Sequence, residues 1–253
     1  SLNLDKGFEL SDESYYVMAS RYPHDQQLLN SQFGLVNFCF TLGHTSLLQL
    51  RVFKLIYQIV SLLIFSRAFA MLLGKNTSWP SGTMFLATLT MFVVGFVNYD
   101  YLPMTLSYNS WSFNFSLLFW SAIMYKTANQ KVAGNYIADI VSGFILLCLF
   151  FVKTPNAVIL LVIELAHLLF FRRKNVLVPI LMQVSGVFGG VILLFGSVAR
   201  FIESSAVLYS NLTTIRHASL GGYLPDLFTL FTQRPGTAFF LFQAVLFIVM
   251  YLF

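Results

Sequence analysis

Asp12 and Glu13 stand side by side in the acidic, aromatic stretch Gly7 to Tyr16 (GFELSDESYY), ahead of the first long apolar run of the chain. Adjacent carboxylates diverge in an extended segment and lie about 100 degrees apart on a helix, so they form no shared-proton dyad unaided. One of them can face a site and act as general base on a hydroxyl or amine acceptor, while the other binds a metal or a local amide. Ser11 or Asp12 can equally cap a helix whose first turn begins at Ser14. Asp100, at the end of the second apolar run, is a candidate second ligand. No HExxH or CxxC spacing occurs, and His24-Asp25 lacks the spacing of a zinc motif. A hard divalent cation, Mg²⁺ or Mn²⁺, held by Asp12, Asp100 and phosphate oxygens fits these ligand types better than zinc.

Lys153, Arg200, Arg216 and Arg234 are the candidate cations for a lipid phosphate or pyrophosphate. Arginine offers a fork of donors matched to phosphate, and lysine a mobile point charge. Each can instead snorkel to the headgroup level. Arg51 and Lys54, three apart, share a helix face and could meet anionic headgroups. Glu164 and His167, also three apart, make an intramembrane pair that either fastens helices or couples protons.

These groups must be positioned by elements built for lipid. Of 253 residues 57% are hydrophobic, 28 are Phe and only 10% are charged, more apolar surface than one soluble core of this length can hide. The net charge of +5 sits between apolar runs instead of forming a face, which speaks against a nucleic-acid partner. Cys39 and Cys148 are far apart in apolar surroundings and read as buried thiols. Apolar runs at 47–73, 82–97, 111–125, 136–152, 156–171, 176–198 and 237–253 lack a period-two pattern and read as helices. The expected fold is all-α, a polytopic transmembrane bundle of about seven membrane helices with interfacial outer-loop helices.

If every run crosses once, Lys75, Lys126, Lys131 and Arg172-Arg173-Lys174 share one face, the cytoplasmic one by the positive-inside rule. The expected organisation is then an extracytoplasmic acidic first loop at 1–46, a core of about six helices at 47–198, an outer loop with short interfacial helices at 199–236, and a further helix starting at 237–253. Gly186, Gly189 and Gly190 are expected to let helices approach closely. Because the chain ends inside an apolar run, it is expected to be part of a longer protein.

Four pieces in order resemble the polytopic C-type glycosyltransferase superfamily: Gly7 to Tyr16, Gly43 to Arg51 (GHTSLLQLR), Leu102-Pro103 with Ser107 to Ser110, and Gly143 to Ala157 with its Lys153-Thr154-Pro155 turn. The resemblance covers Gly7 to about Gly196. It implies that Asp12 or Glu13 is the catalytic base and that Asp100 is a second acidic position. The implied donor is a polyprenyl- or dolichyl-linked sugar, transferred to a glycan, lipid or protein acceptor with inversion. The expected setting is a multi-pass protein of the bacterial inner membrane rather than the endoplasmic reticulum, active at its extracytoplasmic face, with membrane lipids and either a partner subunit or the rest of the chain as neighbours. The superfamily normally places a membrane helix before the first loop, which agrees with the expectation that the chain is part of a longer protein, and the chain has no WWD-type triplet. Two other readings compete: a transporter or flippase for a lipid-linked or small anionic substrate, whose mark would be polar residues aligned through the bundle, and a noncatalytic membrane subunit.

Overall fold

The computed structural model describes residues 47–75, 79–96, 107–129, 132–171 and 176–206. They form α1 (Leu47–Gly74), α2 (Ser81–Phe96), α3 (Tyr108–Ala128), α4 (Val132–Phe171) and α5 (Leu177–Phe195), followed by helical residues 198–206. The chain divides into two compact units, 1–202 and 203–253. All five named helices belong to the first unit, and of the second only 203–206 are described.

Local chemistry sets the helix ends. Ser107, in extended backbone, caps α3 by accepting a hydrogen bond from the Ser110 amide at 3.1 Å. α5 tolerates Pro179 because it falls in the first turn, where amides lack helical partners, and it stops at Gly196, whose φ of 73° suits a residue without a Cβ. α4 is broken at Lys153 (φ −155°, ψ 83°), two residues before Pro155. Pro155 supplies no amide hydrogen for the carbonyl four residues back, at Phe151, so the helical ladder is interrupted within this turn. Thr154 softens it by donating its hydroxyl to the Phe150 carbonyl at 2.9 Å.

α1 packs on α2 and α3, α3 on α4, and α4 on α5. Tyr57 of α1 lies 5.0 Å from the Trp111 ring and 6.0 Å from that of Phe115, near the start of α3, while Lys75 just beyond α1 reaches the Thr127 carbonyl at the end of α3. α1 and α3 therefore run parallel. Between α3 and the two halves of α4, Trp111, Phe115, Phe119, Ile145, Leu149 and Leu160 form one apolar cluster. Where α4 meets α5 the backbones touch: a Cβ on Gly143 would run into the Gln183 carbonyl, and one on Gly186 into the Ile140 carbonyl. Gly190 faces Phe144 and Leu147, as expected for close packing, but Gly189 has nothing nearby.

The expected count of about seven membrane helices is overturned. Among the described residues three helices are long and apolar enough to cross: Leu48–Gly74, Asn135–Thr154 and Leu177–Phe195. Ser81–Phe96 and Asn156–Leu169 are apolar but short, at about 24 and 21 Å of rise against roughly 30 Å of hydrocarbon. α3, although 21 residues long, fails on polarity, because Ser110, Ser112, Asn114, Ser116, Ser121 and Lys126 are all buried along it. Runs of apolar residues thus located the helices, whereas counting each as a crossing ignored length and buried polarity. The run 237–253 and outer-loop residues 207–236 lie outside the described residues.

Leu48, Val52, Ile56 and Val60 on α1 and Leu177, Leu181, Val184 and Phe188 on α5 turn outward. With the three spanning helices, such a surface is matched to hydrocarbon. The protein is an integral, multi-pass membrane protein embedded in lipid.

Candidate functional site

One end of the bundle is organised around the break in α4. Lys153, half-buried, donates its ammonium to Asn109 Oδ1 at 3.2 Å, and Asn156 Nδ2 donates to Ser112 Oγ at 2.6 Å. The first turn of α3, pinned by the Ser107 cap, therefore holds both sides of the break. Phe151 packs on Phe195 and Phe201, with centroids 5.1 and 5.7 Å away, so Arg200, next to Phe201 and exposed, lies at the same end. Of the expected phosphate-binding residues, Lys153 and Arg200 share this end, while Arg216 and Arg234 lie outside the described residues. So do the expected catalytic residues Asp12 and Glu13 and the expected metal ligand Asp100. Among the described residues no group of three or more His, Cys, Asp or Glu side chains could hold a metal ion.

The opposite end carries an ion cluster. Lys126 Nζ donates to Asp139 Oδ1 at 2.9 Å and to Glu164 Oε1, and all three charged side chains are inaccessible to solvent. Gln183 Nε2 donates to the same Glu164 oxygen at 2.6 Å. The cluster joins α3, both halves of α4, and α5. His167 bonds to Thr127, Nε2 to Oγ1 at 3.1 Å. The Thr127 hydroxyl already donates to the Ile123 carbonyl, so it accepts here and His167 Nε2 carries the hydrogen.

Three readings change as a result. Lys126 is not an exposed topology signal; its charge is met by two carboxylates inside the bundle. Glu164 and His167 each face a partner on α3, Lys126 and Thr127. Arg51 and Lys54 do share a face, but they are only 2% and 0% exposed and so look into the bundle, not toward headgroups. Asp139 escaped notice although it lies within an expected crossing, where an ionisable residue is by itself a marker.

A third polar region lies along the buried face of α1, the helix that packs on both α2 and α3. Arg51, Lys54, Gln58, Ser61 and Ser66 recur at helical spacing on the buried side of α1, opposite its lipid-facing stripe. The register set by Tyr57, Trp111 and Phe115 places Gln58 level with Asn114. Among the described residues, both amide atoms of Gln58, the hydroxyls of Ser61 and Ser66, Trp111 Nε1 and Asn114 Oδ1 meet no hydrogen-bond partner. An unsatisfied buried polar group costs roughly 1–3 kcal/mol. Six such atoms on one seam would cost about as much as the whole stability of a domain, ~5–15 kcal/mol.

No protein family, no curated protein and no solved structure matches this chain. The functional reading therefore rests on the residues themselves.

Proposed function

We propose that the protein is a membrane glycosyltransferase that moves a sugar from a polyprenyl-phosphate-type lipid to a glycan, lipid or protein acceptor at the extracytoplasmic face. The observation that carries this reading is Lys153: a cation at a helix break, steered by Asn109, at a bundle end that also has Arg200. A lipid phosphate approaching from the bilayer needs such a group at the edge of the hydrocarbon, fixed yet half-open. In this reading Asp12 or Glu13 removes the proton from the acceptor hydroxyl as its oxygen attacks the anomeric carbon. The bond from that carbon to the phosphate oxygen breaks, and the phosphate leaves with the electron pair, its charge met by Lys153 and Arg200. One displacement inverts the anomeric centre. A divalent ion on Asp12 and Asp100 would add charge neutralisation for the phosphate.

The test compares Lys153→Ala with Lys75→Ala, an exposed lysine at the other end, for binding of polyprenyl phosphate in nanodiscs. A charged contact to phosphate is worth about 1.5–3 kcal/mol, so Lys153→Ala should lose roughly tenfold or more while Lys75→Ala stays near wild type. Lys153→Arg should recover part of the loss. Equal, small effects would remove Lys153 from the donor site. Asp12→Asn should cut transfer by about 10²-fold at saturating donor, and near-normal turnover would reassign the base.

Transport of a lipid-linked or small anionic substrate is the second reading, favoured by the buried Lys126, Asp139 and Glu164. It requires that Glu164→Gln abolish substrate movement across vesicles while leaving sugar transfer, if any, intact.

A further inference from the structure

We infer that the seam between α1 and α3 is a hydrated polar file, in which ordered water supplies the hydrogen bonds that the protein does not. The inference is independent of the proposed activity. Its basis is the pairing of full burial with unmet capacity: Gln58 and Asn114 are both 0% exposed and lie level on adjacent helices, yet the Gln58 amide has neither an acceptor nor a donor and Asn114 Oδ1 has no donor. Asn114 Nδ2, by contrast, is spent on the Ser110 carbonyl at 3.0 Å. What the seam lacks is a partner that both donates and accepts, since Gln58 Nε2 and Trp111 Nε1 call for an acceptor and Gln58 Oε1 and Asn114 Oδ1 for a donor. Water does both, and buried water typically makes about three such bonds. An anion or a cation would answer only one half of this set.

The seam has a direction. From Arg51 to Ser66 the buried polar face of α1 rises about 22 Å, most of the hydrocarbon thickness. It starts beside the end that carries Lys153 and descends toward the end that carries Lys126. Water in this file brings solvent, and the protons it exchanges, into the middle of the membrane without a lipid-facing polar surface: on the far side of the same helix Leu48, Val52, Ile56 and Val60 remain apolar and exposed.

Radiolytic hydroxyl labelling of the full chain in nanodiscs, read by mass spectrometry, tests the inference, because radicals made from bound water mark side chains that bulk solvent cannot reach. Trp111 (5% exposed) should be labelled several-fold faster than Phe119 (0%), which lies in the apolar cluster, after each rate is normalised to that of the unfolded chain. The double substitution Gln58→Leu/Asn114→Leu should bring Trp111 down to the Phe119 level. Equal normalised labelling of Trp111 and Phe119 in the wild-type protein would overturn the inference without recourse to any variant. So would unchanged Trp111 labelling in a double variant that unfolds at the wild-type temperature.

Discussion

The Lys126 cluster and the α1–α3 seam are both buried and polar, in one bundle and sharing helix α3, yet the first is tied by charged contacts and the second has none from its neutral groups. At the cluster the ammonium meets one oxygen of each of two carboxylates, and Gln183 shares the Glu164 Oε1, leaving Glu164 Oε2 unmet among the described residues. Along the seam neutral amides and hydroxyls are presented with nothing among the described residues to meet them. Charge explains the difference. An ion in hydrocarbon is so costly that it is tolerated only with counter-charges already in place, whereas a neutral amide can be served by water at modest entropic cost. The cluster is thus suited to fixing helices relative to one another, and the seam to admitting something small.

The largest effect should come from breaking the cluster. Lys126→Met leaves Asp139 and Glu164 buried together without a cation, a loss of about 3–5 kcal/mol by the usual scale for removing one member of a buried pair. Thermal unfolding in detergent should show it directly. The triple substitution Lys126→Met/Asp139→Asn/Glu164→Gln, which removes every charge, should regain most of the stability. If the single and triple variants are equally unstable, packing and not charge is what the cluster supplies.

Next come the glycines that bring Gln183 within reach of Glu164. Gly143→Ala and Gly186→Ala each place a methyl against a backbone carbonyl, which cannot swing away as a side chain could, so α4 and α5 must separate. Overpacking of this kind costs about 1–3 kcal/mol, sometimes more. Gly189→Ala, with open space around it, should instead be neutral or stabilise by about 0.5–1 kcal/mol through the better helix former. Opposite signs at Gly186 and Gly189 would show that the close approach is specific to one face of α5; the same sign at both would refute it.

The sequence made some of this legible. Leu, Phe, Ile and Val runs mark the helices to within a few residues, and the Lys153-Thr154-Pro155 turn marks the break in α4 because proline chemistry is local. What could not be read was which charged residues meet. Lys126 pairs with residues 13 and 38 positions away, and nothing in the spacing of Lys126, Asp139 and Glu164 along the chain encodes the fold of α3, α4 and α5 that joins them. The burial of Arg51 and Lys54 was missed for a related reason: two cations on an otherwise apolar helix look like a headgroup contact until Gln58, Ser61 and Ser66 are seen to continue the same face inward. For the candidate catalytic and metal residues, Asp12, Glu13 and Asp100, no comparison with the structure arises, since they lie outside the described residues.

The smallest effect should be at Lys75, and it sharpens the contrast with Lys126. The two lysines sit at the same end of the bundle: Lys126 precedes Thr127 in the chain, and Lys75 donates to the Thr127 carbonyl at 2.9 Å. Lys75 is exposed, so water can replace that bond and the ammonium never leaves solvent. Lys75→Ala should therefore change stability by no more than about 0.5 kcal/mol, the usual range for a surface substitution. Unfolding of Lys75→Ala and Lys126→Met side by side separates what lysine contributes at this end from what burial demands. A Lys75→Ala loss as large as that of Lys126→Met would mean that the end is held by its total positive charge, and the assignment of a special role to the buried cluster would fall.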